Sequence, residues 1–354
     1  MNLRELSKTL GLSQTTVSRA LNGYPEVSEA TRKRVEAAAL RHDYRPNTRA
    51  KSLATGRTMT IAHVIPMSTK HEMVNPVFAD FIAGAGETYQ KAGYDMLLSV
   101  VSDPEEANAY RGLAARNTVD GMIVHAPRAE DPRLALLRKL DVPFVVHGRF
   151  PGVDEGDGYS WLDTNNRRGF ERATSFLIDL GHRRIALING LPELDFAIRR
   201  EDGYRRALDA AGLPFDPALV RGDEMTEFYG HDAAAEMLDA PDPPTAFLTS
   251  SMIVAMGVRR AIQDRGLALG RDVSVITHDD DLSYFRTSTP EPTFTALHSS
   301  VRDHGRKCAQ MLIDLIADRT RAPMRELLEA DFLVGRSTGP APAADWRITA
   351  TQRD

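Results

Sequence analysis

The chain has 354 residues, of which 42% are hydrophobic, and it carries 44 Lys and Arg side chains against 49 Asp and Glu. This length predicts two or three domains with cores of ordinary size. A single cysteine, Cys308, excludes a disulfide framework or a cysteine-based metal cluster, and no apolar run reaches the roughly 18 residues that span a membrane. Because no apolar signal core opens the sequence, we expect a cytoplasmic protein. No pair of His and Glu residues at helical spacing indicates a zinc site, so we expect no metal, and we expect no cofactor.

Charge is distributed unevenly along the chain. Residues 1–58 hold eleven basic and five acidic side chains, whereas the remaining residues hold 33 basic and 44 acidic ones. Binding to phosphates needs Lys and Arg, so a basic head on an acidic body indicates a head that binds nucleic acid. A basic tail or chance clustering would give the same composition, so the pattern of residues within the head must distinguish these alternatives from a nucleic-acid-binding domain.

The head is predicted to contain three helices. Apolar residues recur at helical spacing over residues 3–10, and Gly11 is suited to end that helix in a left-handed conformation. Ser13 can cap a second helix over residues 14–21, and Ser28 can cap a third. Two short helices joined by a glycine-containing turn and braced by a third predict a helix-turn-helix.

Four segments carry a resemblance to a known family: GLSQTTVSRALNG at 11–23, VSEATRKRV at 27–35, YRPN at 44–47 and AKSL at 50–53. Together they resemble the DNA-binding head of the LacI/GalR family of bacterial transcription regulators. The resemblance implies a homodimer that binds a palindromic operator, because two half-sites require two-fold symmetry.

By that resemblance, Gln14, Thr15 and Arg19 occupy the base-reading positions of the second helix. Arginine can bind guanine through two hydrogen bonds, and Gln and Thr can bond to base edges. The residues expected to hold phosphates are Thr16, Ser18, Asn22, Ser28 and Thr31. The alternatives are a purely capping role for Ser13 and Ser28, and a solvated surface charge for Arg19.

Residues 47–54 are predicted to form a short hinge helix between Pro46 and Gly56. A helix below about 12–15 residues is marginal alone, so this one should fold only against a partner. The resemblance implies that two such helices pair over the minor groove, where Leu53 enters a base step as an apolar wedge. The other residues assigned to this contact are Asn47, Arg49, Ala50 and Lys51. A flexible linker with an incidental leucine is the alternative.

From Thr60 onward, short β-rich runs alternate with helical stretches. A helix is predicted over 78–93, with strands over 61–66, 96–101, 121–125 and 143–147; after 161–163 the cycle restarts, with strands over 184–189, 245–249 and 273–277. Apolar runs spaced by helices indicate parallel sheets covered on both faces. Two such sets predict an α/β class with two doubly wound subdomains.

The body also resembles the core of the same family, which is similar to periplasmic sugar-binding proteins with a cleft between two lobes. The matching segments are GHRRIA at 181–186, REDGYRRAL at 200–208 and VGRST at 334–338. The resemblance implies chain crossings near Ser160, Thr293 and Arg321. The expected domains are a head (1–46), a hinge and linker (47–58), a core (59–338) and a tail (339–354). Within the core, the expected lobes are about 59–160 with 293–321, and 161–292 with 322–338.

Ligands of such sheets bind at the carboxyl ends of strands. By the resemblance, Arg200 and Asp279 contact the effector. Other candidates are His125, Arg149, Asn75, Phe78, Ser251, His278 and Trp161. A neutral sugar needs donors, acceptors and an apolar face, and Phe78 or Trp161 would supply that face. Lobe–lobe ion pairs for Arg149 and Arg200, and a core hydrogen bond for His125, are the alternatives.

Two departures from the family concern the effector. Ser251-Met252 stands where the family usually has Asn-Asp, and His147 stands where an acidic residue commonly precedes the segment with Arg149. Both, with the opening NLREL at 2–6, resemble a subset that regulates α-glucoside uptake operons. That subset implies a disaccharide inducer such as sucrose, maltose or trehalose, while a corepressor such as a nucleobase stays open.

Two other classes of protein are alternatives. An enzyme could use Ser250 or Ser251 with His278 and Asp279, but no Gly-x-Ser-x-Gly elbow or phosphate loop accompanies them. A sugar-transport protein would share the body but would need a signal peptide and no basic head. The tail lacks the heptads of a tetramerising coil, so a dimer is expected. A sugar that closes the cleft should separate the hinge helices and lower operator affinity.

Overall fold

The computed structural model describes residues 1–21, 24–44, 56–66, 75–150, 158–285 and 291–343. Asn22, the hinge residues 47–54 and the end of the tail, 344–354, therefore lie outside the described residues. The chain folds as two compact units, one built on Met1–Met59 and the other on Thr60–Arg116 and Asp120–Asp354. A search of the described ranges finds no helix with the length and apolar character of a membrane span.

The first unit contains the three predicted helices: α1 (Leu3–Leu10), α2 (Gln14–Leu21) and α3 (Glu29–Arg41). They enclose a small core made of Leu6, Leu10, Val17, Ala20, Val27, Val35, Ala38 and Ala39. Apart from Val27, which precedes α3, these residues lie on the inner faces of the helices, so the polar residues of α2 are left on its outer face.

The predicted helix ends of the first unit are present. Gly11 ends α1 with a φ of 64°, which glycine adopts without strain. The Ser13 hydroxyl accepts a hydrogen bond from the Thr16 amide at 3.0 Å, and the Ser28 side chain caps α3. Arg34 of α3 donates to the Leu10 carbonyl at 2.7 Å, which ties α3 to the end of α1.

The second unit alternates strands and helices. It begins with β1 (Thr60–Pro66), α4 (Pro76–Ala92), β2 (Asp95–Val101), α5 (Glu106–Ala115), β3 (Gly121–Val124), α6 (Arg133–Leu137), β4 (Phe144–His147) and β5 (Ser160–Thr164). It continues with α7 (Asn166–Asp179), β6 (Ile185–Asn189), α8 (Asp195–Ala210), β7 (Val220–Gly222), α9 (Glu227–Asp239), β8 (Ala246–Thr249) and α10 (Met252–Gln263). It ends with β9 (Ser274–Asp279), β10 (Thr295–His298), α11 (Val301–Ala317), β11 (Arg325–Leu328) and β12 (Asp331–Leu333).

Two six-stranded sheets organise this unit. The first has the strand order β11-β5-β4-β3-β1-β2 and is parallel throughout. The second has the order β12-β10-β9-β8-β6-β7, in which β12 is antiparallel to β10 and the other pairs are parallel. Central strands such as β3, β6 and β8 are buried along their whole length, because helices cover both faces. The predicted α/β class with two doubly wound subdomains is confirmed.

The strand pairing corrects the expected lobe boundaries. The chain crosses from the first sheet to the second after β5, returns between β10 and α11, and crosses again between β11 and β12. Each crossing lies later along the chain than the expected Ser160, Thr293 and Arg321. Because β5 and β11 pair in the first sheet while β10 pairs with β9 in the second, the first lobe comprises residues 60–164 and 301–328, and the second comprises 166–298 and 331–338.

Two glycines allow α4 and α11 of the first lobe to pack in close contact. A Cβ atom added at Gly84 would lie 2.0 Å from the Arg302 carbonyl oxygen, and one at Gly305 would lie 2.1 Å from the Phe81 carbonyl oxygen. Side chains larger than glycine would force these helices apart. The close packing holds the side chains of Phe81 and His304 at the same edge of the lobe.

Candidate functional site

A cavity of about 510 Å³ lies between the two lobes of the second unit. Its first-lobe wall contains Asn75, Phe78, Phe81, His125, His147 and His304, and its second-lobe wall contains Asn166, Phe196, Arg200, Ser250, His278 and Asp280. Several of these residues follow the carboxyl ends of parallel strands, where the topology places ligands. The volume falls within the roughly 300–1,000 Å³ of small-molecule sites.

Arg200 is fixed in place on the second-lobe wall. Its Nε donates to Asn166 Oδ1 at 2.7 Å and its Nη1 donates to the Ser250 carbonyl at 2.6 Å. The guanidinium carbon lies 4.8 Å from the ring centre of Phe196 and 5.1 Å from that of Phe170. Burial lowers the pKa of Arg200 to about 10, which leaves it charged at neutral pH. These partners belong to the second lobe, so the alternative of a lobe–lobe ion pair is not what the structure shows.

Four histidines line the cavity: His125, His147, His278 and His304. His147 Nε2 lies 3.4 Å from His304 Nδ1, and His304 Nε2 lies 2.9 Å from the Ser299 hydroxyl. Burial lowers the pKa of all four and brings that of His304 to about 4, so the rings are neutral at pH 7. A neutral imidazole offers one donor and one acceptor, which suits a hydroxyl group.

His125 is connected to a second, fully buried histidine. Its Nε2 lies 3.0 Å from His63 Nδ1, and His63 Nε2 lies 3.0 Å from the Tyr89 hydroxyl. Burial lowers the pKa of His63 to about 3. Phe78 and Phe81 meet the His125 ring edge to face, with centroids 5.2 Å and 5.0 Å away. His125 therefore has both the expected place at the cavity and the core hydrogen bond named as its alternative.

Asp280 lines the cavity, whereas the expected Asp279 does not. Asp279 Oδ2 lies 3.5 Å from His298 Nδ1, and its other oxygen accepts the Asp281 amide at 3.0 Å. Asp280 instead lies 3.3 Å from His278 Nε2. Side chains alternate in direction at the end of a strand, so His278 and Asp280 share one side and Asp279 points to the other. This corrects the assignment of Asp279.

Arg149, Trp161 and Ser251 do not line the cavity either. Arg149 donates to Asp163 at 2.7 Å and its guanidinium lies 5.0 Å from the Trp161 ring, so it forms an ion pair within the first lobe. Ser251 caps α10 by accepting the Val254 amide at 3.2 Å. The preceding Ser250 is the serine on the cavity wall.

Sequence reasoning missed Phe81, His147, His304, Asn166, Phe196, Ser250 and Asp280. Phe81 stands three residues after Phe78 on one helix, and His147 ends a strand much as His125 follows one, so these two had a usable signal. His304 and Asn166 stand near helix starts and reach the cavity only through packing of distant segments. Among the residues that the structure describes, no group of three or more His, Cys, Asp or Glu side chains could hold a metal ion.

In the first unit, the residues predicted to read bases lie on the outside of α2. Gln14, Thr15 and Arg19 are exposed on α2, while Thr16 and Ser18 are half-buried at its edge. At the start of α3, Ser28 is exposed and its hydroxyl lies 2.9 Å from that of Thr31. The amino-terminal ends of α2 and α3 carry partial positive charge, which favours phosphate.

Comparisons with known proteins find relatives of both units. Residues 2–47 match the family described as "Bacterial regulatory proteins, lacI family", and residues 174–338 match the "Periplasmic binding protein-like domain". The HTH-type transcriptional regulator AglR of Rhizobium meliloti (strain 1021) is 43% identical over 342 residues, which cover 97% of this chain and 95% of the relative. The HTH-type transcriptional regulator CelR of Thermobifida fusca is 33% identical, over 95% of this chain and 97% of the relative.

Solved structures show the same architecture. The complex of the transcriptional regulator CelR with cellobiose has a TM-score of 0.69 and 32% identity, and covers 95% of this chain and 99% of that one. The Lac repressor dimer bound to operator and the anti-inducer ONPF has a TM-score of 0.81 over 96% of this chain and 99% of that one. At 23% identity, the second likeness shows the fold alone.

Proposed function

Because the chain belongs to the LacI family of bacterial regulatory proteins, we propose that it is a homodimeric repressor released from a palindromic operator by a sugar. The inducer is a neutral disaccharide that binds in the cavity between the lobes. The observation that carries this proposal is the cavity itself, with aromatic rings on one wall and the fixed Arg200 and Asp280 on the other. A regulator of this kind acts on chromosomal DNA, in the cytoplasm.

The chemistry of the two walls supports a sugar. Phe78 and Phe81 offer apolar faces against which a sugar ring can lie, and Arg200 and Asp280 offer a fixed donor and a fixed acceptor for hydroxyls. The neutral histidines add further hydrogen-bonding groups without adding charge. A structural relative of this chain is a complex with cellobiose, a disaccharide, which supports a ligand of that size.

The exposed face of α2 supports the assignment of Gln14, Thr15 and Arg19 as base-reading residues. Thr16, Ser18, Asn22, Ser28 and Thr31 are proposed to hold phosphates. For the hinge, the proposal keeps Leu53 as a minor-groove wedge beside Asn47, Arg49, Ala50 and Lys51. A sugar that binds one arrangement of the lobes better than the other shifts the dimer toward that arrangement, and operator affinity falls by the same differential free energy.

The relatives are transcriptional regulators, and no catalytic step is proposed for this chain. A regulator with a nucleobase corepressor is the alternative within the family, and it differs in the sign of the response. A corepressor would tighten operator binding, whereas an inducer loosens it.

The first experiment identifies the ligand by thermal shift. Purified protein is screened against cellobiose, maltose, sucrose, trehalose, glucose and hypoxanthine. A ligand at 100 times its dissociation constant adds about 2.7 kcal/mol to stability, so a disaccharide should give a clear rise in Tm. Stabilisation by hypoxanthine alone, or by none of the sugars, would contradict the proposed ligand class.

The second experiment tests the operator and the sign of the response. Duplexes selected from a random library should contain palindromes, and their affinity should fall steeply with salt. The stabilising sugar should then weaken binding to the selected duplex. Tighter binding would identify a corepressor, and a sedimentation value for a tetramer would contradict the dimer.

A further inference from the structure

The turn after β3 takes part in both the cavity wall and the contact between the lobes. His125, the first residue of this turn, lines the cavity. Two residues later, the Pro127 carbonyl accepts a hydrogen bond from the Asp195 amide of the second lobe at 2.9 Å. The Ala129 amide donates to the Glu193 carbonyl of the second lobe at 2.8 Å. A displacement of residues 125–129 would therefore disturb the ligand wall and the inter-lobe bridge together.

Arg133 fixes this turn from inside the first lobe. Its Nη1 donates to the His125 carbonyl and its Nη2 to the Ala126 carbonyl, each at 2.9 Å. Ala126 has a φ of 45°, a left-handed conformation that residues other than glycine rarely adopt. The two hydrogen bonds hold the backbone at this strained position, so the path of the turn depends on the guanidinium.

Two carboxylates hold Arg133 in turn. Glu106 of α5 lies 2.7 Å from Nη1 and Asp131 lies 2.6 Å from Nη2, and the arginine is only 5% exposed. Burial is the largest single influence and opposes the charge of Arg133, but the hydrogen bonds to Asp131 and the negative charges of Glu106 and Asp131 together raise its pKa. Asp131 also accepts the Arg128 amide at 3.0 Å, which closes the turn on itself.

We propose that Arg133 is a positioning residue that sets the cavity wall and the inter-lobe bridge together, although it does not itself line the cavity. The planar guanidinium of Arg133 donates to two carbonyls and two carboxylates at once, which no other side chain can do. The expected effect on ligand affinity rests on the proposed function, whereas the effect on the bridge does not.

The variant Arg133→Lys tests this role because lysine keeps the charge but has one ammonium group, which cannot bind both carbonyls and both carboxylates. Arg265→Lys is the matched control. Like Arg133, Arg265 donates to two carbonyls; it pairs with one carboxylate, Asp239, where Arg133 pairs with two, and it lies outside the cavity lining. Both variants should lose thermal stability, so stability alone does not distinguish a positioning role from a structural one.

The deciding measurement is amide hydrogen exchange of the ligand-free protein. In Arg133→Lys, peptides that contain the Ala129 and Asp195 amides should exchange about tenfold faster than in the wild type. In Arg265→Lys, exchange in those peptides should stay at the wild-type rate. Unchanged exchange in Arg133→Lys, or equal acceleration in both variants, overturns the proposal. If Arg133→Lys does not fold, Glu106→Gln removes one of the two carboxylates that hold the Arg133 guanidinium. This variant should also accelerate amide exchange in the same peptides.

Calorimetry with cellobiose as the probe gives a second readout. Arg133→Lys should bind cellobiose about tenfold more weakly than the wild type, and Arg265→Lys should bind it as the wild type does. Equal affinity in Arg133→Lys and wild type overturns the positioning role at the ligand. If the wild type does not bind cellobiose, the failure concerns the proposed ligand, and the exchange result still decides the role of Arg133.

Discussion

Asp80 of α4 in the first lobe and Ser283 in the second lobe bind each other across the space between the sheets. One carboxylate oxygen of Asp80 accepts the Ser283 amide at 2.8 Å, and the other accepts its hydroxyl at 2.8 Å. Arg302 of α11 lies 3.3 Å from the same carboxylate and holds it from the first-lobe side. Phe81 and Phe285, close to the two residues in sequence, line the cavity, so this contact joins the lobes beside the ligand site.

Loss of this contact should weaken ligand binding. Without this contact, an open arrangement of the lobes becomes more stable relative to the closed one. A ligand that contacts both walls must then spend part of its binding free energy on closing the lobes. We expect Asp80→Ala and Ser283→Ala each to lower sugar affinity. The double variant should lose less binding free energy than the sum of the losses in the two single variants. Residues in one hydrogen-bond network show a coupling of about 0.5–3 kcal/mol.

Calorimetry on the four proteins of this cycle measures the coupling. Thr88→Ala is the control, because the Thr88 hydroxyl bonds to the Arg306 carbonyl within the first lobe. That variant should leave sugar affinity unchanged. Additive losses in the Asp80 and Ser283 variants would mean that their contact does not bias the arrangement of the lobes.

The neighbouring carboxylates Asp279 and Asp280 should differ in their effect on the sugar. Asp280→Asn replaces a carboxylate acceptor on the cavity wall by an amide, and a hydrogen bond to a carboxylate contributes about 1.5–3 kcal/mol. We therefore expect a loss of at least tenfold in sugar affinity. Asp279→Asn alters a side chain that faces His298 and should leave affinity within twofold of the wild type. The reverse order in calorimetry would return the ligand contact to Asp279.

Asp279 and Asp280 show which features of the site the sequence alone could not predict. The caps at Ser13, Ser28 and Gly11 are local, since each depends on residues within one turn of the chain, and the sequence was sufficient to predict them. The strand β9 was also predicted, but over 273–277, whereas it runs to Asp279, and the direction of a side chain changes with every residue there. An error of one position therefore assigned the ligand contact to Asp279 instead of Asp280. The same error assigned the cavity serine to Ser251 instead of Ser250.

Packing between distant segments explains the rest of what was missed. His304 comes from α11, which returns to the first lobe only after β10 has joined the second sheet. Its place beside His147 depends on the close approach of α4 and α11 at Gly84 and Gly305, for which no local pattern exists. The crossings were misplaced for a similar reason, because short strands such as β5 and β11 are defined by their pairing and not by their own sequence.

In the DNA-binding unit, Arg19 and Thr16 should have different effects on operator binding. Arg19→Ala removes an exposed guanidinium suited to a base edge and should cost about 1–3 kcal/mol and relax preference at one base pair. Thr16→Val removes a hydroxyl proposed to hold a phosphate and should weaken all sequences alike. Fluorescence anisotropy on the selected duplex and its single-base variants measures both effects. Uniform weakening by Arg19→Ala would reassign it to phosphate contact.

The buried histidines predict that the core loses stability on mild acidification. The folded-state pKa of His63 is about 3 and that of His304 about 4, both lowered by burial from an ordinary value near 6.5. Between about pH 6.5 and these values the unfolded chain binds more protons than the folded one, so stability falls as pH falls. Each such histidine contributes a slope of up to about 1.4 kcal/mol per pH unit.

His298 should act in the opposite direction, which provides an internal control. The Asp279 carboxylate, 3.5 Å from its Nδ1, raises the pKa of His298, so the contribution of His298 to stability is fully present below about pH 6.5 and is lost as pH rises through the raised value. Urea denaturation between pH 7.5 and 5.5 should show a shallower loss of stability in His63→Gln and a steeper loss in His298→Gln. Identical slopes in wild type and His63→Gln would show that the imidazole pair of His63 and His125 already carries a proton in the folded protein at neutral pH.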